Sequence, residues 1–194
     1  MSTILENIQA KVRYDVDKLK SHYKAYLYEN SNEFDLPESN TQSITSITVG
    51  GSTISASKYS YNSTTNKVTI DADQLSSSSS VIIYYTYYDY SDDELNGYII
   101  RALGQLSINK YTKNGEYLRV NDLTTPTKIL PRPNEGEENL IAFIVGIFIR
   151  PSYSRYSIPL LTIQYVKKMD TDEKIAMVID KFNVNLGYSG FISL

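Results

Sequence analysis

The stretch that most limits the fold is "SSSSSVIIYYTYYDYSDDELNGYIIRALGQL", Ser76 to Leu106, where a serine run leads into a strand and then directly into a helix. In a strand, alternate side chains point to opposite faces, so Ile83, Tyr85 and Tyr87 share one face and Ile82, Tyr84, Tyr88 and Tyr90 the other. Both faces are apolar, so the second also needs something to cover it. The helix follows at once. Ser91 and Glu94 have the S-x-x-E spacing of a capping box, and Asp92 and Asp93 are favourably placed in the first turn. Leu95, Tyr98/Ile99, Ala102/Leu103 and Leu106 then form an apolar stripe. Gly97 and Gly104 share one helix face with Arg101 between them, which suggests close approach by another backbone.

The texture upstream belongs to β-structure. Between Thr41 and Tyr88 only Lys58, Lys67, Asp71 and Asp73 are charged. "SITSITV-GG-STISAS" reads as a hairpin about Gly50-Gly51, and "KYSYNSTTNKVTID" as a second about an Asn/Ser/Thr turn. Residues 3 to 30 carry helical spacing behind the T-x-x-E of Thr3 and Glu6, and Asp15 and Asp17 offer a second cap after a kink near Tyr14. Downstream come a hairpin at Asn114-Gly115 and a proline-punctuated loop, Leu123 to Glu138. A helix from Glu137 to Arg150 is apolar nearly all round, and so central to the fold or to an assembly. An extended passage, Arg150 to Val166, precedes a last helix, Thr171 to Phe182, behind Asp170 and Glu173.

The expected fold class is α+β, a small bundle of about four helices with an inserted antiparallel β-module. The boundaries are 1–40 for an N-terminal helical segment, 41–90 for the β-module, 91–183 for the helical core, and 184–194 for a C-terminal tail. With 194 residues the chain has enough surface to bury for an ordinary core.

Little points to chemistry. There is no cysteine, which removes disulfides and thiolate chemistry. His22 is the one histidine and reads as a surface or boundary residue on a helix. Asp71 and Asp73 offer oxygens to calcium but lack an EF-hand loop and read as a solvated strand end. Asp92, Asp93 and Glu94 are accounted for by capping, and Asn62-Ser63-Thr64 by a turn. Neither nucleotide-binding glycine motif occurs. No catalytic residue, metal or cofactor is expected. The net charge of −3 gives no footprint of tight nucleic-acid or anionic-membrane binding. The residues up to Asn30 predict no secretory leader, and the longest apolar run, Leu140 to Ile149, is too short to span a membrane.

The helical start, the hairpins "ITSITVGGSTIS" and "YSYNSTTNKVTID", the segment "YYDYSDDELNGYIIRAL" and the apolar helix ending "FIRPSY" together resemble head–tail connector (adaptor or neck) proteins of tailed bacteriophages. The resemblance spans most of the chain and is one of architecture, with no catalytic motif. It implies a non-enzymatic virion protein made in the bacterial host cytoplasm. Its copies would form a homo-oligomeric, dodecameric ring in the neck, between the portal protein and the tail or a second neck protein. That ring would extend the channel for passing DNA without sequence-specific binding. It places Tyr188, Phe191, Ile192 and Leu194 at the portal, and Tyr84, Tyr88, Gly97, Arg101 and Gly104 at subunit contacts. A different reading takes Tyr59, Tyr61, Tyr84, Tyr85, Tyr87 and Tyr88 as a sugar-stacking surface, making the chain a carbohydrate- or surface-binding module of a phage tail.

Overall fold

The computed structural model describes residues 3–76, 79–151, 155–158, 161–164 and 169–191. The side chains of 155–158, 161–164 and 183–191 lie outside that description. The fold is α+β. One unit comprises Met1–Lys18 and Asp92–Leu194 and carries the helices; the other, Leu19–Ser91, is built of strands.

The described residues of the first unit form four helices: α1 (Ile4–Asp15), α2 (Asp92–Ile108), α3 (Glu135–Ile149) and α4 (Thr171–Phe191). Among the described residues, α1, α3 and α4 begin at reciprocal caps, in which side chain and backbone exchange the otherwise orphaned N–H groups. These caps are Thr3 with Glu6, Asn134 with Glu137, and Asp170 with Glu173. Helix α3 is buried without a break from Asn139 to Ile147 and packs against α1, α2 and α4, which is why its sequence has no polar face. From α1, Leu5, Ile8 and Val12 are buried, and from α2, Leu95, Ile99, Ala102, Leu103 and Leu106. Helix α4 runs on to Phe191, so 184–191, expected as a tail, is helical.

The strands are β1 (Lys20–Leu27), β2 (Glu33–Asp35), β3 (Thr41–Val49), β4 (Ser52–Thr53), β5 (Tyr59–Asn62), β6 (Lys67–Ile70) and β7 (Ser80–Tyr87). A four-stranded antiparallel sheet of order β1-β7-β3-β4 and a three-stranded sheet β2-β6-β5 share one core. Phe34, Leu36, Val68 and Ile70 enter it from the smaller sheet, and Ile47, Val81, Ile83 and Tyr85 from the larger. Gly50 and Gly51 both have positive φ, as the β3–β4 turn requires. In the β5–β6 turn, Asn62 Oδ1 accepts from the backbone N–H groups of Thr64 and Thr65.

Two expectations are corrected. Residues 20–27 are a strand, not a continuation of the first helix, and the sheet unit begins at Leu19, not at 41. Leu19, Tyr23 and Tyr26 fit a helical spacing, but pairing of Lys20–Leu27 along the whole of β7 overrides it. This pairing sets Lys20 opposite Tyr87, so the chain enters and leaves the sheet unit on adjacent strands. Short strands β8 (Arg119–Val120) with β9 (Ile129–Leu130), and β10 (Arg155–Ile158) with β11 (Leu161–Gln164), complete the helical unit.

Candidate interaction surfaces

The opening strand resolves into two different faces. Val81, Ile83 and Tyr85 are fully buried, and the Tyr85 hydroxyl donates to Glu38. Burial first, and then Glu38, pushes that phenol well above its ordinary range. Tyr26 donates to the carbonyl of Asp35 and is pushed up to about 12, by burial and then by the charges of Asp35 and Glu38. The alternate residues, Ile82, Tyr84 and Thr86, form the outer face.

Register sets three rows across β1, β7 and β3 on that outer face. Ser21, Thr86 and Ser43 make one; Tyr23, Tyr84 and Ser46 the next; Ala25, Ile82 and Thr48 the third. Tyr23 and Tyr84 remain 57% and 37% exposed, with ring centroids 5.8 Å apart. Ser43 and Thr86 share a hydroxyl–hydroxyl hydrogen bond of 2.8 Å. The face is therefore aromatic at its centre and hydroxyl-bearing around it. The only lysines of these strands, Lys20 and Lys24, pair with Tyr87 and Ile83 and so lie on the opposite face.

The six tyrosines expected to stack sugars do not form one platform. Tyr85 is in the core, while Tyr59, Tyr61 and Tyr87 pack against it, half-buried. Tyr61 donates to Asn66 at 2.9 Å. Tyr88 is half-buried just past the end of β7, and of the six only Tyr84 is exposed.

No protein-family model matches the chain, and no curated protein matches its sequence.

In the helical unit the two glycines of α2 line an open groove. A Cβ at Gly97 or Gly104 would meet nothing within 4 Å, so the close approach the pair suggests is not made by any described part of the chain. Ile100, Leu103 and Gly104 floor a cavity of about 450 Å³ walled by Tyr117, Val120 and Leu123. A second hollow, about 610 Å³, continues along Gly97 and Ile100 to Thr124. The wall is a shaped turn: Asp122 Oδ1 accepts from the Thr124 hydroxyl and from the N–H groups of Thr124 and Thr125. Those bonds, led by the hydroxyl, pull the Asp122 carboxyl down to about 2. Leu123, at the tip, is 75% exposed. The Arg101 guanidinium lies 4.1 Å over the Phe148 ring, a cation–π contact within the unit.

The remaining candidates have structural occupations. His22 is exposed on β1, not on a helix, with its ring edge-on to Tyr85 at 5.9 Å. Asp71 and Asp73 both face Lys58, at 3.7 and 2.8 Å. Asp92 accepts from Arg13 at 2.7 Å, as Asp17 does at 2.8 Å. Sequence reasoning missed Glu137, a buried carboxylate that accepts from Tyr111, Lys113 and the Asn134 N–H. Its only signal was the N-x-x-E spacing of Asn134 and Glu137. Among the described residues no group of three acidic or histidine side chains is placed to hold a metal, and no helix is long and apolar enough to cross a membrane. The side chains of Tyr188 and Phe191, and the whole of Ile192 and Leu194, lie outside the described residues.

Proposed function

We propose that this chain is a structural subunit of the neck of a tailed phage, forming a ring between the portal and the tail. The observation that carries this reading is the insertion. The chain leaves a helical unit after α1, builds a β-sandwich, and re-enters at α2 on a strand adjacent to the one by which it left. Adjacent ends let a helical core accept a whole second unit without disrupting its own packing. The order helix, β-insertion, helix is the architecture that resembles the connector proteins.

Interface formation is the mechanism. The open α2 groove, with Gly97 and Gly104 at its floor and exposed Leu123 at its rim, is a surface a neighbouring copy would cover. The net charge of −3 argues only against tight DNA binding. Tyr188, Phe191, Ile192 and Leu194 are assigned to the portal.

Deletion of residues 184–194 tests the assignment. The shortened protein is expected to stay folded, with a cooperative thermal melt and a helical signal reduced only by the end of α4, and to lose stoichiometric association with the portal of the same genome. Undiminished docking would refute the role given to the C-terminal segment.

A further inference from the structure

We propose that the outer face of the β1-β7-β3 sheet is a binding platform for a neutral polysaccharide, a role additional to assembly in a ring. The platform is not the set of tyrosines prominent in the sequence. It is centred on Tyr23 and Tyr84, 61 residues apart in the chain and brought side by side only by the register of β1 on β7.

Three properties select the ligand. The first is charge: all nine positions of the three rows are uncharged, and the strands' lysines point the other way. Surfaces ordinarily devote roughly a quarter to a third of their residues to charges. A face with none offers nothing to phosphate, sulfate or carboxylate groups.

The second property is the aromatic pair. Two neighbouring phenol rings, both accessible, present a π surface whose negative face attracts the weakly positive C–H groups of a pyranose ring. The third is the surround. Ser21, Ser43, Ser46 and Thr86 supply hydroxyls that donate and accept equally well, which matches a ligand made of hydroxyls. Serine is depleted in the cores of protein–protein interfaces, where larger side chains dominate. The combination therefore favours a flat polyol over a second protein chain.

The test is native affinity electrophoresis of the full-length protein through gels containing a soluble neutral β-glucan, galactomannan or dextran. Alongside it run Tyr84→Ala, Ser43→Glu and, as a control on the other sheet, Ser60→Glu. Thermal melts check that each variant is folded. Ser43 is exposed, so its variant keeps the test interpretable should Tyr84→Ala fail to fold. Retardation by at least one polysaccharide is expected. It should weaken about tenfold or more in Tyr84→Ala and Ser43→Glu, and be unchanged in Ser60→Glu. Absence of retardation across the panel overturns the proposal, as does equal retardation of all variants. Sedimentation of the wild type supplies a further contrary outcome: if Ser43→Glu abolishes self-association, the face belongs to a second copy and not to a saccharide.

Discussion

Tyr111 donates its hydroxyl hydrogen to Glu137 at 3.1 Å, joining the segment after α2 to the first turn of α3. Glu137 also receives Lys113 at 2.6 Å and caps its own helix. A buried carboxylate holding three donors is stable only while they remain. Tyr111→Phe should cost about 2 kcal/mol, the scale of a hydrogen bond to a charged group. Glu137→Ala should cost more, since it also removes the cap and leaves Lys113 without this partner. Chemical denaturation of the two variants checks the order; equal stabilities would show that Glu137 is held by something else.

Arg13 bonds to Asp17 at the end of α1 and to Asp92 at the start of α2, holding together the points at which the chain leaves and re-enters the helical unit. The Asp17 side chain is fully buried. Arg13→Ala should therefore destabilise the protein by about 3 kcal/mol, the scale for breaking a buried pair. Asp92, being exposed, should matter less: Asp92→Asn is expected to cost under about 1 kcal/mol. A reversed order in urea denaturation would contradict the arrangement.

Alkaline pH gives a third test. The phenols of Tyr26, Tyr85 and Tyr111 are all pushed up, chiefly by burial, with Tyr26 at about 12. An unfolded tyrosine ionises near about 10. The folded state thus holds protons that the unfolded state releases. The associated stability is intact below about pH 10 and is lost as pH rises through the folded values. Ultraviolet titration of phenolate should show these three ionising only as the protein opens. One step near pH 10 from a folded protein would be the contrary result.

The β3–β4 turn tests the sheet unit. Gly51 has φ of +87°, where a side chain meets the following carbonyl. Gly51→Val should cost about 1–2 kcal/mol. Ser60→Val, on the exposed face of β5, should leave stability nearly unchanged. Matched thermal melts compare them, and equal melting temperatures would count against the turn.

What the sequence disclosed depended on how local the signal was. The Gly50-Gly51 turn, the Asn62 turn and the caps of α1 and α4 are fixed by residues within four of one another, and each was legible. The character of β1 was not. All eight of its residues are exposed or half-exposed without alternation, so no period-two pattern betrays the strand, and its partner β7 lies some sixty residues away. The same distance hid the Tyr23–Tyr84 platform and left the more conspicuous tyrosine run to suggest a surface that is largely core. Gly97 and Gly104 suggested close approach by another backbone. Their spacing said nothing about whether the chain itself would make it, and the described residues leave that helix face open.

Mass photometry of the purified protein, alone and mixed with portal complexes of the same genome, tests the ring assignment most directly. A connector subunit should appear as a discrete ring, or as a stoichiometric ring-on-portal complex. A protein that stays monomeric beside every portal would contradict it.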